Sequence, residues 1–142
     1  NTPTLIIFMY RTRHFISAAL TLLLAIFSNS ASAEWNNIST NRNGSSIFVN
    51  PETIKKTGDH TKLWILFDYR KAIIESGDKI MSIKKHKEYD CKKLQTRLLY
   101  ISKHSGRFTE GKIVYANDIP YNKWEPIVPD SVSEDLWKYA CN

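Results

Sequence analysis

Cys91 and Cys141 carry the most definite chemistry in this chain, because its 142 residues hold no other thiol. In an oxidising compartment two lone cysteines of a small domain pair as a disulfide. Closing a loop of this length constrains the unfolded chain by about 4 kcal/mol on the chain-entropy account. A bridged sulfur cannot attack, so Cys91 beside Asp90 is read as structural, not as a nucleophile served by His86 or His104. His60, His86 and His104 show no metal-ligand spacing to another His, Cys or carboxylate, and are read as solvated loop or strand residues. Glu88 and Asp90 lie two apart and share a strand face, while Glu134 and Asp135 open a helix, where negative charge suits the dipole. There is no glycine-rich phosphate loop, and Ser45, Ser46 and Ser131 lack a serine-hydrolase context. Nothing assembles a convergent set of groups, so the expectation is a non-enzyme with no catalytic residue, metal site or cofactor.

The oxidising compartment is read from the first 33 residues. Arg11, Arg13 and His14 form a basic start, residues 15–27 are apolar and uncharged, and Ala31-Ser32-Ala33 fits the small-residue rule for signal peptidase. Cleavage is expected between Ala33 and Glu34, with Met9 as the true start. The apolar run is short of the roughly 20 residues a membrane span needs. No cysteine adjoins the cleavage site to accept a lipid, so the product is expected to be soluble, without stable membrane insertion after signal removal. Residues 34–142 are the size of one domain. Removing Arg11 and Arg13 from the 20 basic residues leaves 18 against 14 acidic ones, a net charge of +4. That mild excess, with aromatic residues not interleaved among basic ones, argues against a nucleic-acid partner.

The elements that must position these residues read as an α+β domain: an antiparallel sheet of about six strands with a C-terminal helix packed on one face and tied by the disulfide. Strands are expected near Trp35 to Ile38, Ser46 to Val49, Lys62 to Tyr69, Lys79 to Lys87, Lys93 to Ser102 and Lys112 to Asn117. Turns fall at Asn43-Gly44, Ser76-Gly77-Asp78, Ser105-Gly106 and Asn117-Asp118. Leu63, Ile65, Phe67 and Tyr69 alternate with Trp64 and Leu66, so both faces of that strand need cover. It and the Lys93 to Ser102 strand are expected to be central. Ser131-Val132-Ser133-Glu134 is a capping box. Val132, Leu136, Trp137 and Ala140 then form one stripe, with Cys141 a turn after Trp137 on the same side.

With these segments in place the chain resembles the surface-adhesin protein E family of Gram-negative exported proteins. The resemblance is carried by Ser46-Ile47-Phe48-Val49-Asn50-Pro51 with Thr53-Ile54, by Leu63 through Tyr69, and by Ser82-Ile83-Lys84 leading to Glu88-Tyr89-Asp90-Cys91. It continues through Arg97, Ser105-Gly106 and Trp124 through Pro129 to the closing Leu136 through Cys141. It implies an antiparallel sheet with a C-terminal helix bridged to it through Cys91 and Cys141. It also implies a binding role, since founding members are lipid-anchored adhesins for host matrix and serum glycoproteins. The chain departs from that pattern in having no lipid-acceptor cysteine, and in Asn50 where an acidic residue usually precedes the proline.

Two surfaces are candidates for binding. Lys84, Lys85 and Lys87, with Lys92, Lys93 and Arg97 shortly after, would stack into a basic patch on one end of the sheet if the two strands are hairpin neighbours. Such a patch attracts acidic segments or sulfated glycans. Trp64 and Leu66, opposite the helix, would need a loop or a second copy of the chain to cover them, which makes a homodimer the expected form of self-association. The reading is an exported non-enzymatic binding domain of the periplasm or cell surface, with a protein or glycan ligand and, by resemblance, a host matrix glycoprotein. The alternative is a soluble periplasmic structural or interaction domain.

Overall fold

The structure is a computed structural model that describes residues 34–120 and 122–142. The signal segment, Met9 and the Ala33 side of the cleavage site lie outside the described residues. Eight strands form one sheet: β1 (Asn36–Thr40), β2 (Ser46–Val49), β3 (Lys55–Thr57), β4 (His60–Glu75), β5 (Asp78–Asp90), β6 (Gln95–His104), β7 (Ile113–Asp118) and β8 (Glu125–Pro126). A helix, α1 (Val132–Cys141), closes the chain. The strand order is β1-β2-β4-β5-β6-β7, with β3 beside the start of β4 and β8 beside the start of β6, and every pairing is antiparallel. The six anticipated strands are all present. Short β3 and β8 lack an apolar alternation that would announce them.

The central hairpin is longer than expected, because β4 continues past Tyr69 through exposed residues, Ile73 and Ile74 among them, to Glu75. Glu75 pairs with Asp78 across Ser76 and Gly77, whose φ values are 52° and 87°. Two positive φ values in a two-residue loop match the twist of the strands it joins, and glycine reaches that region without strain.

Register assigns the faces. Leu63, Ile65 and Phe67 of β4 stand opposite Lys87, Lys85 and Ile83 of β5, and Ile65 and Phe67 stand opposite Val49 and Ile47 of β2. Against this side α1 buries Leu136 and Ala140, joined by Tyr89 and Ile127, with Trp137 and Tyr139 packed at the margin. The Trp137 indole N–H donates to the Asp90 carbonyl at 3.1 Å, and Cys141 is bridged to Cys91. Val132 departs from its expected place on the stripe and is 41% exposed. The cap differs too: Ser131 Oγ accepts from Glu134 N–H, but the Glu134 carboxylate accepts from Asp130 N–H, one residue before the expected donor.

The second face carries Trp64, Leu66 and Asp68 of β4, opposite His86, Lys84 and Ser82 of β5 and then Tyr100, Ser102 and His104 of β6. The loop between β6 and β7 folds back over one end of this face. The Asp68 carboxylate, fully buried, accepts from Arg107 Nε at 2.9 Å and Nη2 at 2.6 Å and from Phe108 N–H at 2.8 Å. Ser82 Oγ donates to the Gly106 carbonyl and accepts from Thr109 N–H. A side chain at Gly106 would meet the Glu110 backbone at 2.7 Å, so the loop closes only on glycine there. Phe108 packs at a tilt against Phe48, the cross-strand neighbour of Leu66, with ring centroids 5.3 Å apart, and Leu66 is 1% exposed.

Two consequences can be measured. Replacing Cys91 and Cys141 by serine releases a constraint over a separation of 50 residues and is expected to cost about 4 kcal/mol in urea unfolding. Asp68→Ala removes three hydrogen bonds and the buried partner of Arg107, and is expected to cost roughly 3 kcal/mol while raising protease sensitivity within residues 105–111. A cost below about 1 kcal/mol would mean the loop is held by other contacts.

Candidate functional site

What the β6–β7 loop leaves open is the end of the second face around Trp64. Register places Trp64, His86 and Tyr100 side by side on β4, β5 and β6, and the next row holds Lys62, Glu88 and Arg97. Trp64 and His86 are stacked, with centroids 4.6 Å apart and planes 10° from parallel, and Tyr100 meets Trp64 edge-on at 5.4 Å. Lys84 Nζ lies 4.6 Å from the Trp64 ring. The Arg97 guanidinium covers Trp124 at 4.5 Å, and His60 packs on the same indole. Strand pairing therefore interleaves aromatic and basic groups that are far apart in the linear sequence, which corrects the impression that they are separate.

Carboxylates beneath this layer fix it in place. Arg97 Nε donates to Glu88 Oε2 at 2.6 Å and its Nη2 reaches the same oxygen, while Lys62 Nζ lies 4.0 Å from Oε1. His60 spans the two acids, 3.6 Å from Glu88 and 3.5 Å from Asp90. Asp90 accepts from Lys93 N–H at 2.9 Å and from Lys92 N–H at 3.0 Å. The Lys93 bond, reinforced by Lys92 and the His60 and Lys93 charges against some burial, holds its carboxyl below the usual range. The fold thus brings His60 to two carboxylates that sequence spacing kept apart. No group of three His, Cys, Asp or Glu among the described residues is arranged to hold a metal.

Two shallow grooves meet at this cluster. One, about 470 Å³, is lined by Lys62, Trp64, His86, Arg97, Tyr100 and Asp118 among others. Its neighbour, about 450 Å³, adds Glu52, Thr53 and Lys55 and shares Lys62, Trp64 and His86. Asn50 shapes the second groove: its Oδ1 accepts from Glu52 N–H and its carbonyl accepts from the Thr53 hydroxyl, holding the short 3-10 turn Pro51–Thr53 against β4.

The expected basic patch is divided. β5 and β6 are hairpin neighbours, but alternation sends Lys84 to the Trp64 face and Lys85 and Lys87 to the helix side, where they are half-buried. Lys92 and Lys93 sit exposed in the β5–β6 turn, and Arg97 is engaged by Glu88. Leu66 lies under its own chain and offers no surface to a partner, while Trp64 is half-buried within the aromatic stack.

The histidines also depart from a solvated reading. His104 is 6% exposed and its Nε2 lies 2.9 Å from Ser102 Oγ. The pair has the reach of a base and a nucleophile, but both residues are buried, and Asp68, two strands away, is committed to Arg107 and Phe108. It fastens the interior of the face and presents no nucleophile to solvent. Burial first, then the Lys62 charge, push the His86 imidazole below its ordinary range, with Glu88 opposing; burial and Lys84 do the same for His104.

The sequence profile of a family described as surface-adhesin protein E matches residues 35–142. No curated protein matches the sequence significantly. The fold is similar to that of Haemophilus influenzae protein E, at 12% identity and a TM-score of 0.55, over 79% of this chain and 86% of that one. A second crystal form of the same protein gives 11% identity and a TM-score of 0.54, over 79% and 93%. Protein E from a non-typeable strain gives 11% and 0.52, over 81% of each chain. At these identities the likeness concerns the fold.

The titration of the two histidines sets a test. A histidine with a depressed folded-state value resists protonation that the unfolded chain accepts, so stability is full above the unfolded value of about 6.5 and is lost as pH falls below it. Urea midpoints are expected to drop between pH 7.5 and 5.5, and the drop to flatten in the variant carrying His86→Gln and His104→Gln. An unchanged slope in that variant would assign the loss to other groups.

Proposed function

The chain belongs to the surface-adhesin protein E family, and from that premise we propose that it is an exported, non-enzymatic binding domain that captures a host matrix or serum glycoprotein through the open end of its helix-free face. The observation that carries this reading is the aromatic layer of Trp64, His86 and Tyr100 set among the cations Lys62, Lys84 and Arg97, at the junction of two grooves. Aromatic rings supply contact area at little entropic cost, and the cations draw acidic segments or sulfated glycans toward it. Arg97 is oriented by Glu88 and Lys84 leans on the indole, so little ordering remains to be done on binding. Any pairing of two copies through this face rests on Trp64 without Leu66, and would compete with the ligand.

Display at the cell surface belongs to the same proposal. Protease treatment of intact cells is expected to remove the domain. Its survival until the outer membrane is opened would favour the soluble periplasmic interaction domain instead.

Binding to an immobilised matrix glycoprotein is expected to weaken as salt is raised from 50 to 300 mM, because exposed charges are screened within about 8 Å at physiological ionic strength. Trp64→Ala, and separately Lys62→Glu with Lys84→Glu, are expected to lower affinity by about tenfold or more, the loss typical of a central contact. Lys92→Glu with Lys93→Glu, in the turn beyond the layer, is expected to leave affinity within about twofold, as rim charges act mainly on encounter. Binding that ignores salt and tolerates Trp64→Ala would place the contact elsewhere.

A further inference from the structure

The loop between β6 and β7 lies on the second face as a bound peptide lies on a receptor. Its base closes without help from that face, since Ser105 N–H donates to the Lys112 carbonyl and Lys112 N–H donates to Ser105 Oγ, both at 3.0 Å. Its crown is gripped by side chains of two other strands. Ser82 Oγ donates to the Gly106 carbonyl at 2.7 Å and accepts from Thr109 N–H at 2.9 Å. Between these, Asp68 Oδ2 accepts from two nitrogens of the Arg107 guanidinium and Asp68 Oδ1 accepts from Phe108 N–H. The Phe108 ring lies against Phe48 of β2. Five hydrogen bonds and one ring contact thus engage four consecutive residues, Gly106-Arg107-Phe108-Thr109.

The gripping groups are built into the sheet, and the gripped ones are not. Asp68 and Ser82 are fully buried within β4 and β5, and a carboxylate so placed is costly without a cation opposite it. By contrast the Arg107 side chain is 47% exposed and Phe108 45%. Phe108 and Thr109 hold φ values of 50° and 66°, a region that suits glycine and strains both of these residues. Glu110 N–H donates to the Arg107 carbonyl and Gly106 N–H to the Glu110 carbonyl, so the crown is bonded to itself and can lift as one piece. Lifting it would open the face from Trp64 to Asp68, a stretch of about 13 Å along β4.

We propose that Asp68, Ser82 and Phe48 form a recognition site for a partner protein's segment in which arginine precedes an aromatic residue, and that the chain's own loop is the occupant such a segment displaces. Asp68 engages a guanidinium through two of its nitrogens, a geometry that the point charge of lysine does not reproduce. Ser82 gives a proton to one backbone carbonyl and takes one from a backbone N–H three residues on, which fixes the direction of the segment. Phe48 supplies the ring contact. Because the resident loop is tethered, it competes at high effective concentration, and an outside segment binds weakly until the loop is released. The site lies beyond the Trp64 layer and stands whatever ligand that layer takes.

The test supplies the segment in trans, as a blocked peptide of residues 105–111 titrated into the isotope-labelled domain of residues 34–142. Arg107→Ser with Phe108→Ser empties the site while keeping the loop length. The peptide is expected to shift the Asp68 and Ser82 amides of this variant and to bind it at least about tenfold more tightly than the wild-type domain, whose own loop competes. Arg107→Lys or Phe108→Ala in the peptide is expected to weaken binding by about tenfold or more, the loss of a central contact. Asp68→Asn in the emptied variant is expected to remove it. In the wild-type domain, which relies on no variant to fold, excess peptide is expected to speed hydrogen exchange at the Phe108 and Thr109 amides by about twofold or more, as they leave Asp68 and Ser82. A folded, emptied variant that ignores the peptide, equal affinity for variant and wild type, or wild-type exchange that the peptide does not move would each overturn the proposal.

Discussion

The structure depends on one property of β4, which presents apolar side chains to both of its faces. Leu63, Ile65 and Phe67 face one side and Trp64 and Leu66 the other, so a bare sheet would leave a hydrophobic surface in water whichever way it turned. A domain of this size has one helix to spend on the problem, and the disulfide fixes it across the first side. The second side is closed by a loop, drawn down by the buried Asp68 carboxylate and by Ser82. That loop reaches Leu66 and stops short of Trp64. The proposed binding surface is thus the part of an obligatory apolar face that the chain leaves uncovered.

The same alternation distributes the charges. The run Lys84-Lys85-His86-Lys87 has a single sign along the sequence, yet its members serve two faces with different solvent exposure. Lys84 and His86 join the aromatic layer, where stacking and cation–π contacts orient them. Lys85 and Lys87 are withdrawn into the helix side and lose part of their hydration. A charge cluster counted along a strand is therefore two clusters, and period two decides which residues share one.

Much of the fold was legible because local signals agreed. The apolar segments of β2, β4 and β6, the turn at Ser76 and Gly77, and the cap at Ser131 each pointed to the element found there. The pairing of Cys91 with Cys141 followed from the count of cysteines together with the export signal. What escaped was non-local. β3 is short and polar, and β8 is two residues held by the start of β6. The burial of His104 and Leu66 depends on a loop 40 residues away in sequence from Asp68, and no spacing rule reports it. The aromatic–basic layer is likewise a product of register, with Trp64, His86 and Tyr100 each separated by more than a dozen residues. A strict period-two reading of residues 84–87 would have split the lysines in advance.

The proposed ligand contact lies on the Trp64 face, and the indole N–H resonances of the four tryptophans report on regions of the domain separately. In a titration of the labelled domain with a matrix glycoprotein fragment, Trp64 and Trp124 are expected to shift or broaden first, while Trp137, bonded to the Asp90 carbonyl beneath α1, stays in place. Shifts confined to Trp137 or Trp35, with Trp64 and Trp124 unmoved at saturation, would contradict it.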